Sequence, residues 1–328
     1  MVVSVYLLRI VNTYLLGFNS KTMDRIRKKS VFLANQLLAV GALMKKTMKN
    51  YLKLTKSMQT GLLLLTGMAG YVSANCPVAS WQSLLSLAGS LFLAIAGCTI
   101  LNMVWDRDID AKMDRTSHRP LVTGEVKVGE ALTVGIVLSV VGVGWAYLIE
   151  PLYGAVVFAG LFIDFVIYTI WLKRRTAWSI VWGGISGGMP ILAGRVLAVG
   201  EIDPIGILFA LSILLWIPTH ILTFNIKNQA DYNRAGIPTF SQRYGPGATR
   251  IIIAISSICA ALAIGLGASA IGLSWGYLRL ISIMAIGIIG LSVYAAAKPS
   301  EKVNFQLFKC ASLYMVGSMM IMTFGIVF

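Results

Sequence analysis

Charge is what this sequence has least of. Of 328 residues only 12% are Asp, Glu, Lys or Arg, against 57% hydrophobic. Soluble domains carry about a quarter charged residues, so this chain cannot clothe a water-facing surface, and a soluble globular protein is excluded. Cysteine is scarce too: Cys76, Cys98, Cys259 and Cys310 show neither CxxC nor Cys/His spacing, which argues against a zinc site or a disulfide framework. Acids are few, 13 against 28 Lys and Arg for a net charge of +15, a balance that could suggest nucleic acid. Position argues otherwise. Eleven of the 28 basic residues lie in the first 56, where basic segments ahead of a membrane span meet anionic lipid or set orientation.

What the sequence has instead is long apolar runs. Nine reach the length of about twenty residues that crosses a bilayer: 57–74, 81–105, 129–149, 152–172, 178–198, 204–226, 247–270, 273–297 and 305–328. The chain therefore reads as an all-α membrane protein, with a basic segment over 1–56 and a nine-helix membrane domain over 57–328. Two shorter stretches in the first segment, "MVVSVYLLRIVNTYLLGF" and "VFLANQLLAVGALM", suit surface helices or a loosely held extension. Positive charge follows the first stretch and no small-residue cleavage motif appears, which argues against a cleaved signal peptide.

With nine spans, the connections fall into two sets. The N-terminal tail, 106–128, 173–177, 227–246 and 298–304 include Arg107, Lys112, Arg115, Arg119, Lys127, Lys173, Arg174 and Arg175. The connections near 75–80, 150–151, 199–203 and 271–272 hold no Lys or Arg, only Glu150, Glu201 and Asp203, read as solvated charges. The positive-inside rule places the N-terminus and the basic connections in the cytoplasm, the protein in the cell (inner) membrane, and the C-terminus on the opposite side. The fifth span carries Gly183, Gly184, Gly187 and Gly188. Small residues let membrane helices approach closely, so this span is expected at the centre of the bundle.

Acid appears where a span should simply end, in "NMVWDRDID". Asn102, Asp106 and Asp110 recur at i, i+4 and i+8, on one stripe of a helix; Asp108 points elsewhere. Acids on one stripe repel, and a divalent cation would remove the conflict. Mg2+ takes one or two carboxylates with water and phosphate oxygens. A second polar stretch, "WIPTHILTFNIKNQADYNRAGIP", interrupts the sixth span on the same side. There Pro218 is expected to kink the helix, and Asn228 and Asp231, three apart, share a face. Two acid-bearing helix ends on one side suggest two metal positions clamping one diphosphate.

"NMVWDRDIDAKMDRTSHRPL" resembles the first aspartate-rich motif of the UbiA-type intramembrane prenyltransferases, and is most like their protohaem IX farnesyltransferase (haem O synthase) branch. The likeness extends through "LKLTKSMQTGLLLLTGMAGY", "WLKRRTAWSIVWGGISGGMP", His220 and "DYNRAGIP". It implies nine helices around a central cavity, with Mg2+ and an isoprenyl diphosphate, farnesyl favoured, at the cytoplasmic end and haem B as acceptor. Asn102, Asp106, Asp110 and Asp231 then correspond to the catalytic acid motifs, with Asp106, Asp110, Asp231 and Asn228 on the metal. Arg115, Arg119, Lys173 and Arg174 correspond to the diphosphate cations, while His220, Tyr168 and Tyr232 face the acceptor or the developing allylic cation.

Departures from the family pattern lie where the acceptor should bind. The histidine follows Pro218 as "PTH", the expected Gly-Ala-Pro-Pro stretch reads "GGMPILAGR", and Asp164 and Arg195 are additions. These last two could pair with each other, or Arg195 could hold an anionic acceptor. A quinone precursor, a chlorophyll-type tetrapyrrole or a glycerol-phosphate lipid therefore stay open as acceptors. So does an ion-coupled transporter, although the mid-bilayer broken helices of two related halves are not apparent.

Overall fold

The computed structural model describes residues 20–74 and 81–327; the expectations for the first apolar stretch and for Cys76 lie outside them. The chain divides into two units at Lys53. In the first, α1 (Ser20–Leu54) is a single helix that carries the second short apolar stretch between two basic runs. Phe32, Leu37, Leu38, Leu43 and Met44 of that stretch are exposed.

The second unit contains α2 (Ser57–Val72), α3 (Trp81–Trp105), the short α4 (Arg107–Asp110), α5 (Val128–Ile149), and α6 (Pro151–Phe162), which runs on as a π-helical segment, Ile163–Leu172. After these come α7 (Ser179–Val199), α8 (Pro204–Lys227), the short α9 (Gln229–Ala235), α10 (Phe240–Ala270), α11 (Trp275–Ala297) and α12 (Glu301–Val327). Sequence explains the starts. Pro151 and Pro204 each open a helix just after an acid, where a missing N–H costs nothing. Glu150 accepts from Tyr153 N–H, and Asp203 from Gly206 N–H at 2.8 Å. Thr239 and Gln242 cap α10 reciprocally, each side chain accepting from the other's backbone N–H.

Eight of these helices, from α3 onward with α6 and its π-helical segment counted as one, are long and apolar enough to cross a membrane, one fewer than the nine expected. The difference lies in α2. Its sixteen residues make a helix roughly 24 Å long, short of the ~30 Å hydrocarbon core. The apolar run continues in sequence to Ala74, but the helix stops at Ser73, whose carbonyl oxygen accepts from Arg195 at 2.8 Å. α8 runs unbroken through Pro218. In α10 the backbone breaks at Gly245 (φ 81°), just before Pro246.

α7 takes the central place its glycines suggest, packed against α2, α6, the π-helical segment and α8. A Cβ built on Gly194 would lie 1.8 Å from the carbonyl oxygen of Gly67 in α2, and one on Gly188 2.7 Å from that of Ala210 in α8. Both contacts require bare backbone. The main apolar core joins α7, α8, α10, α11 and α12 through Ile191, Phe209, Ile213, Ile264, Ile281 and Met319. A second core joins α2, α3, α6 and α7 around Leu87, Leu91, Tyr153 and Val196.

At the end of the bundle away from Asp106, the partner of Arg195 becomes clear and corrects the sequence reading. Arg195 binds Asp203 rather than Asp164, through Nε at 2.8 Å and Nη2 at 2.6 Å, and also donates to Ser73. Asp203 is accordingly no solvated loop charge. A left-handed turn at Gly200 brings it back over the end of α7. The guanidinium holds the Asp203 carboxyl below the usual carboxylate range. Both side chains are largely buried. Removing one member of such a pair strands the other, so Arg195→Ala should lower stability by about 3–5 kcal/mol. The double variant with Asp203→Ala should lose less than the two single losses added, as read by denaturant unfolding in detergent micelles.

Candidate functional site

The helical hydrogen bonding of α3 continues past its last residue, with Asp106 N–H on Asn102 O at 2.9 Å and Asp110 N–H on Asp106 O at 2.8 Å. The i, i+4, i+8 stripe is thus physically present. Asp106 and Asp110 are 4% and 5% exposed, whereas the side chain of Asp108 is 59% exposed.

Each buried acid has its own cation. Lys173 forms an ion pair with Asp106, and Arg119 reaches back from the loop to Asp110 at 2.5 Å. Arg174, one of the cations the family resemblance assigns to the diphosphate, lies beside the same acids. It clasps Asp108 through both terminal nitrogens, at 2.8 and 2.7 Å, donates to Trp105 O, and lies 3.9 Å from Asp106. That fork holds the Asp108 carboxyl below its ordinary value.

The second motif meets the first through the backbone. Asp231, on α9, accepts from the N–H groups of Asp114 and Arg115, each at 3.3 Å, and from Arg234. Burial raises its carboxyl, but Arg234 and the two N–H groups outweigh this and hold it below the usual range. Arg234 also binds Asp114 at 2.5 Å. Ile109, Met113, Ala235 and Ile237 pack the two motifs together, with Tyr232 against them. Burial pushes the Tyr232 phenol up, and Tyr168, Arg115, Lys173 and Arg119 lie within its electrostatic reach. Asn228 donates Nδ2 to Phe224 O at 2.8 Å, and the guanidinium of Arg115 lies 4.9 Å from the Phe224 ring centre.

Deeper in the bundle, the π-helical segment carries Asp164 and Tyr168. Lys173 N–H bonds Tyr168 O at 2.8 Å, the i, i+5 pattern that often marks functional sites, and the Lys173 ammonium lies 5.8 Å from the Tyr168 ring centre. On α8, Trp216, His220 and Phe224 follow one another at i, i+4 and i+8. His220 is sandwiched between Trp216, 4.9 Å away, and Phe308 of α12, 4.4 Å away, both nearly parallel to it. Its Nδ1 meets Ser312 Oγ at 3.1 Å.

Lys56 escaped the sequence reading, which counted it among basic surface residues. It is the one non-glycine with positive φ (43°) among the described residues, and a left-handed backbone at such a residue is uncommon. Its ammonium lies in the field of Arg119, Lys173, Asp164 and Asp106, and burial, then those two cations, push it down to about 8. Asn225, on α8, also carries a buried Oδ1 without a hydrogen-bond partner.

Two more buried acceptors lack a hydrogen-bond partner: Asn102 Oδ1 and Asp106 Oδ1, one helical turn apart on the stripe. Leaving such groups unsatisfied costs about 1–3 kcal/mol each. A hard divalent cation would satisfy both, because Mg2+ takes oxygen ligands only. Among the described residues, no three Asp, Glu, His or Cys side chains close around one point. That donor set suits an ion that completes its shell with water and substrate phosphate rather than an all-protein cage.

Residues 63–315 match the model of the UbiA prenyltransferase family. The chain is 35% identical over 266 residues to a protohaem IX farnesyltransferase of Pyrobaculum islandicum, covering 81% of this chain and 95% of the relative. Among solved structures it resembles a digeranylgeranylglyceryl phosphate synthase, at 19% identity with a TM-score of 0.72, over 86% of this chain and 99% of the other. A UbiA homologue from Archaeoglobus fulgidus bound to DMAPP and Mg2+ has the same fold, at 17% identity with a TM-score of 0.63, over 83% and 99%.

The clasp of Asp231 on the loop is separable from any chemistry. Asp231→Ala should free the amides of Asp114 and Arg115. Hydrogen–deuterium exchange over residues 111–119 should then speed up at least tenfold, the equivalent of about 1.4 kcal/mol of lost hydrogen bonding.

Proposed function

The chain belongs to the UbiA prenyltransferase family and is an integral membrane prenyltransferase; from that premise we propose that it transfers the farnesyl group of farnesyl diphosphate to haem B, forming haem O. The observation that carries this reading is the pair of unpartnered buried oxygens, Asn102 Oδ1 and Asp106 Oδ1, beside the cations Lys173, Arg119 and Lys56. Asn102, Asp106 and Asp110, with Asp231 and Asn228 across the loop, would hold Mg2+. When bound, the metal would shield the diphosphate and ease its departure as a leaving group.

The chain's own residues supply the rest. Lys173 and Arg119 already face the stripe, so an arriving diphosphate exchanges carboxylate partners for phosphate ones without large movement. Lys56 and Arg115 extend this cationic wall, and Arg174 braces it through Asp108. The prenyl tail lies among apolar helices, where water cannot quench the allylic cation early. The ring of Tyr168, beside Lys173, offers a negative π face to that cation, with Tyr232 behind it.

His220 is held between the Trp216 and Phe308 rings, and the Ser312 contact on Nδ1 leaves its Nε2 for haem iron or a propionate. The haem vinyl group attacks the first farnesyl carbon as diphosphate leaves, and water captures the resulting cation with loss of a proton. Similarity to the Pyrobaculum islandicum farnesyltransferase supports haem over a quinone precursor, another tetrapyrrole or a glycerol-phosphate lipid. The charge alternation supports a cell-membrane protein with its N-terminus and active-site loops in the cytoplasm and its C-terminus opposite.

Purified protein incubated with farnesyl diphosphate, Mg2+ and a panel of acceptors should yield a haem B product heavier by one farnesyl group and one hydroxyl group. Prenylation of another acceptor, with haem B untouched, would overturn the acceptor assignment. Asp106→Ala should abolish transfer by a protein that remains folded, as read by a cooperative unfolding transition in detergent. Lys56 is charged below about pH 8 and neutral above it. Accordingly, kcat/KM for the diphosphate should fall as pH rises through that value, and Lys56→Arg should flatten the fall.

A further inference from the structure

Asp164 lies in the first turn of the π-helical segment, four residues before Tyr168. Three neutral donors converge on it. Asn102 Nδ2 lies 2.6 Å and Cys98 Sγ 3.2 Å from Oδ2, and Ser186 Oγ lies 3.3 Å from Oδ1. Cys98 and Asn102 stand one turn apart on α3, continuing the stripe of Asp106 inward, and Ser186 comes from α7. An acidic side chain among apolar helices is expensive and is usually retained for function. None of these contacts requires an acid merely to hold helices together.

A carboxamide is nearly symmetrical in shape but not in chemistry. Its oxygen can ligate a hard cation, whereas its NH2 group can only donate and would repel one. Asn102 therefore serves a metal in one of its two orientations only. A carboxylate offers lone pairs and no proton, so the amide meets Asp164 through Nδ2. The opposite end is then fixed: Asn102 Oδ1 is left buried and unpartnered, one turn from the equally unpartnered Asp106 Oδ1.

We infer that Asp164 is a positioning residue that locks the Asn102 carboxamide with its oxygen toward the metal and diphosphate. This rests on the site proposed above. Partners that orient a metal ligand in this way typically account for 10–100-fold in metal affinity.

The test exploits the asymmetry. Asp164→Asn keeps size, shape and a hydrogen bond to Asn102, but lets the two amides pair either way round. A purely structural role would survive that change. The inference expects the Mg2+ concentration that half-saturates binding of a non-reactive farnesyl thiodiphosphate, read by calorimetry, to rise about tenfold, with thermal stability unchanged. The swapped pair, Asn102→Asp with Asp164→Asn, carries the same charge and presents an oxygen in either orientation. It should return the Mg2+ requirement close to the wild-type value. If Asp164→Asn does not fold, Asp164→Ala, which leaves the amide free to turn, should show the same rise.

An unchanged Mg2+ requirement in the single variant would overturn the inference, and so would a swapped pair as impaired as the single one. If wild-type protein itself bound the analogue independently of Mg2+, the reading of the site would fall, and this inference with it. Wild-type dependence beside an indifferent Asp164 would sink the inference alone.

Discussion

Burying carboxylates at the edge of a bilayer is the constraint on which the rest of this structure turns. Asp106 and Asp110 are almost inaccessible, and a buried charge left alone costs several kcal/mol even after the surroundings relax. The chain answers with a cation for each acid, drawn from segments far apart in sequence. Arg119 must fold back across the loop, and Lys173 must arrive from the end of the π-helical segment. Connections that would otherwise wander are ordered by the charges they neutralise. Asp231 extends the same logic, since beside its own cation Arg234 it also grips the loop backbone.

Such a site needs a stiff frame, because groups that act on a reacting centre lose effect when they are misplaced by as little as about 1 Å. The frame comes from α7, which touches α2 and α8 backbone to backbone at Gly194 and Gly188. Arg195 then ties α2, α7 and the start of α8 together at the far end. The chemistry and the tie occupy opposite ends of the same central helix, so substitutions in one need not disturb the other.

Most of the architecture is legible in the sequence. Apolar runs bounded by charge place the long helices within a few residues, because lipid allows few ways to satisfy a backbone. The acid stripe is legible because helical spacing decides which side chains share a face, and it separates Asp108 from its neighbours on the same ground. Contacts across helices are less visible. Nothing in the spacing of Arg195 distinguishes Asp164 from Asp203 as a partner; the turn at Gly200 decides it. Lys56 sits in a run of lysines, and only its left-handed backbone sets it apart. The shortness of α2 also escapes hydropathy, because a guanidinium from another helix takes the carbonyl at its end.

The π-helical segment has a consequence for the phase of the fourth span. Ten residues wound with i, i+5 bonds turn more slowly than an α-helix, so the residues beyond them are rotated relative to where uniform winding would put them. Asp164, facing the interior, and Lys173, facing Asp106 at the edge, can therefore be aimed independently although one continuous helix carries both. Rewinding the same residues as ordinary α-helix would swing Lys173 round the helix axis relative to Asp164. The winding between these two residues is thus itself under constraint, whatever side chains fill it.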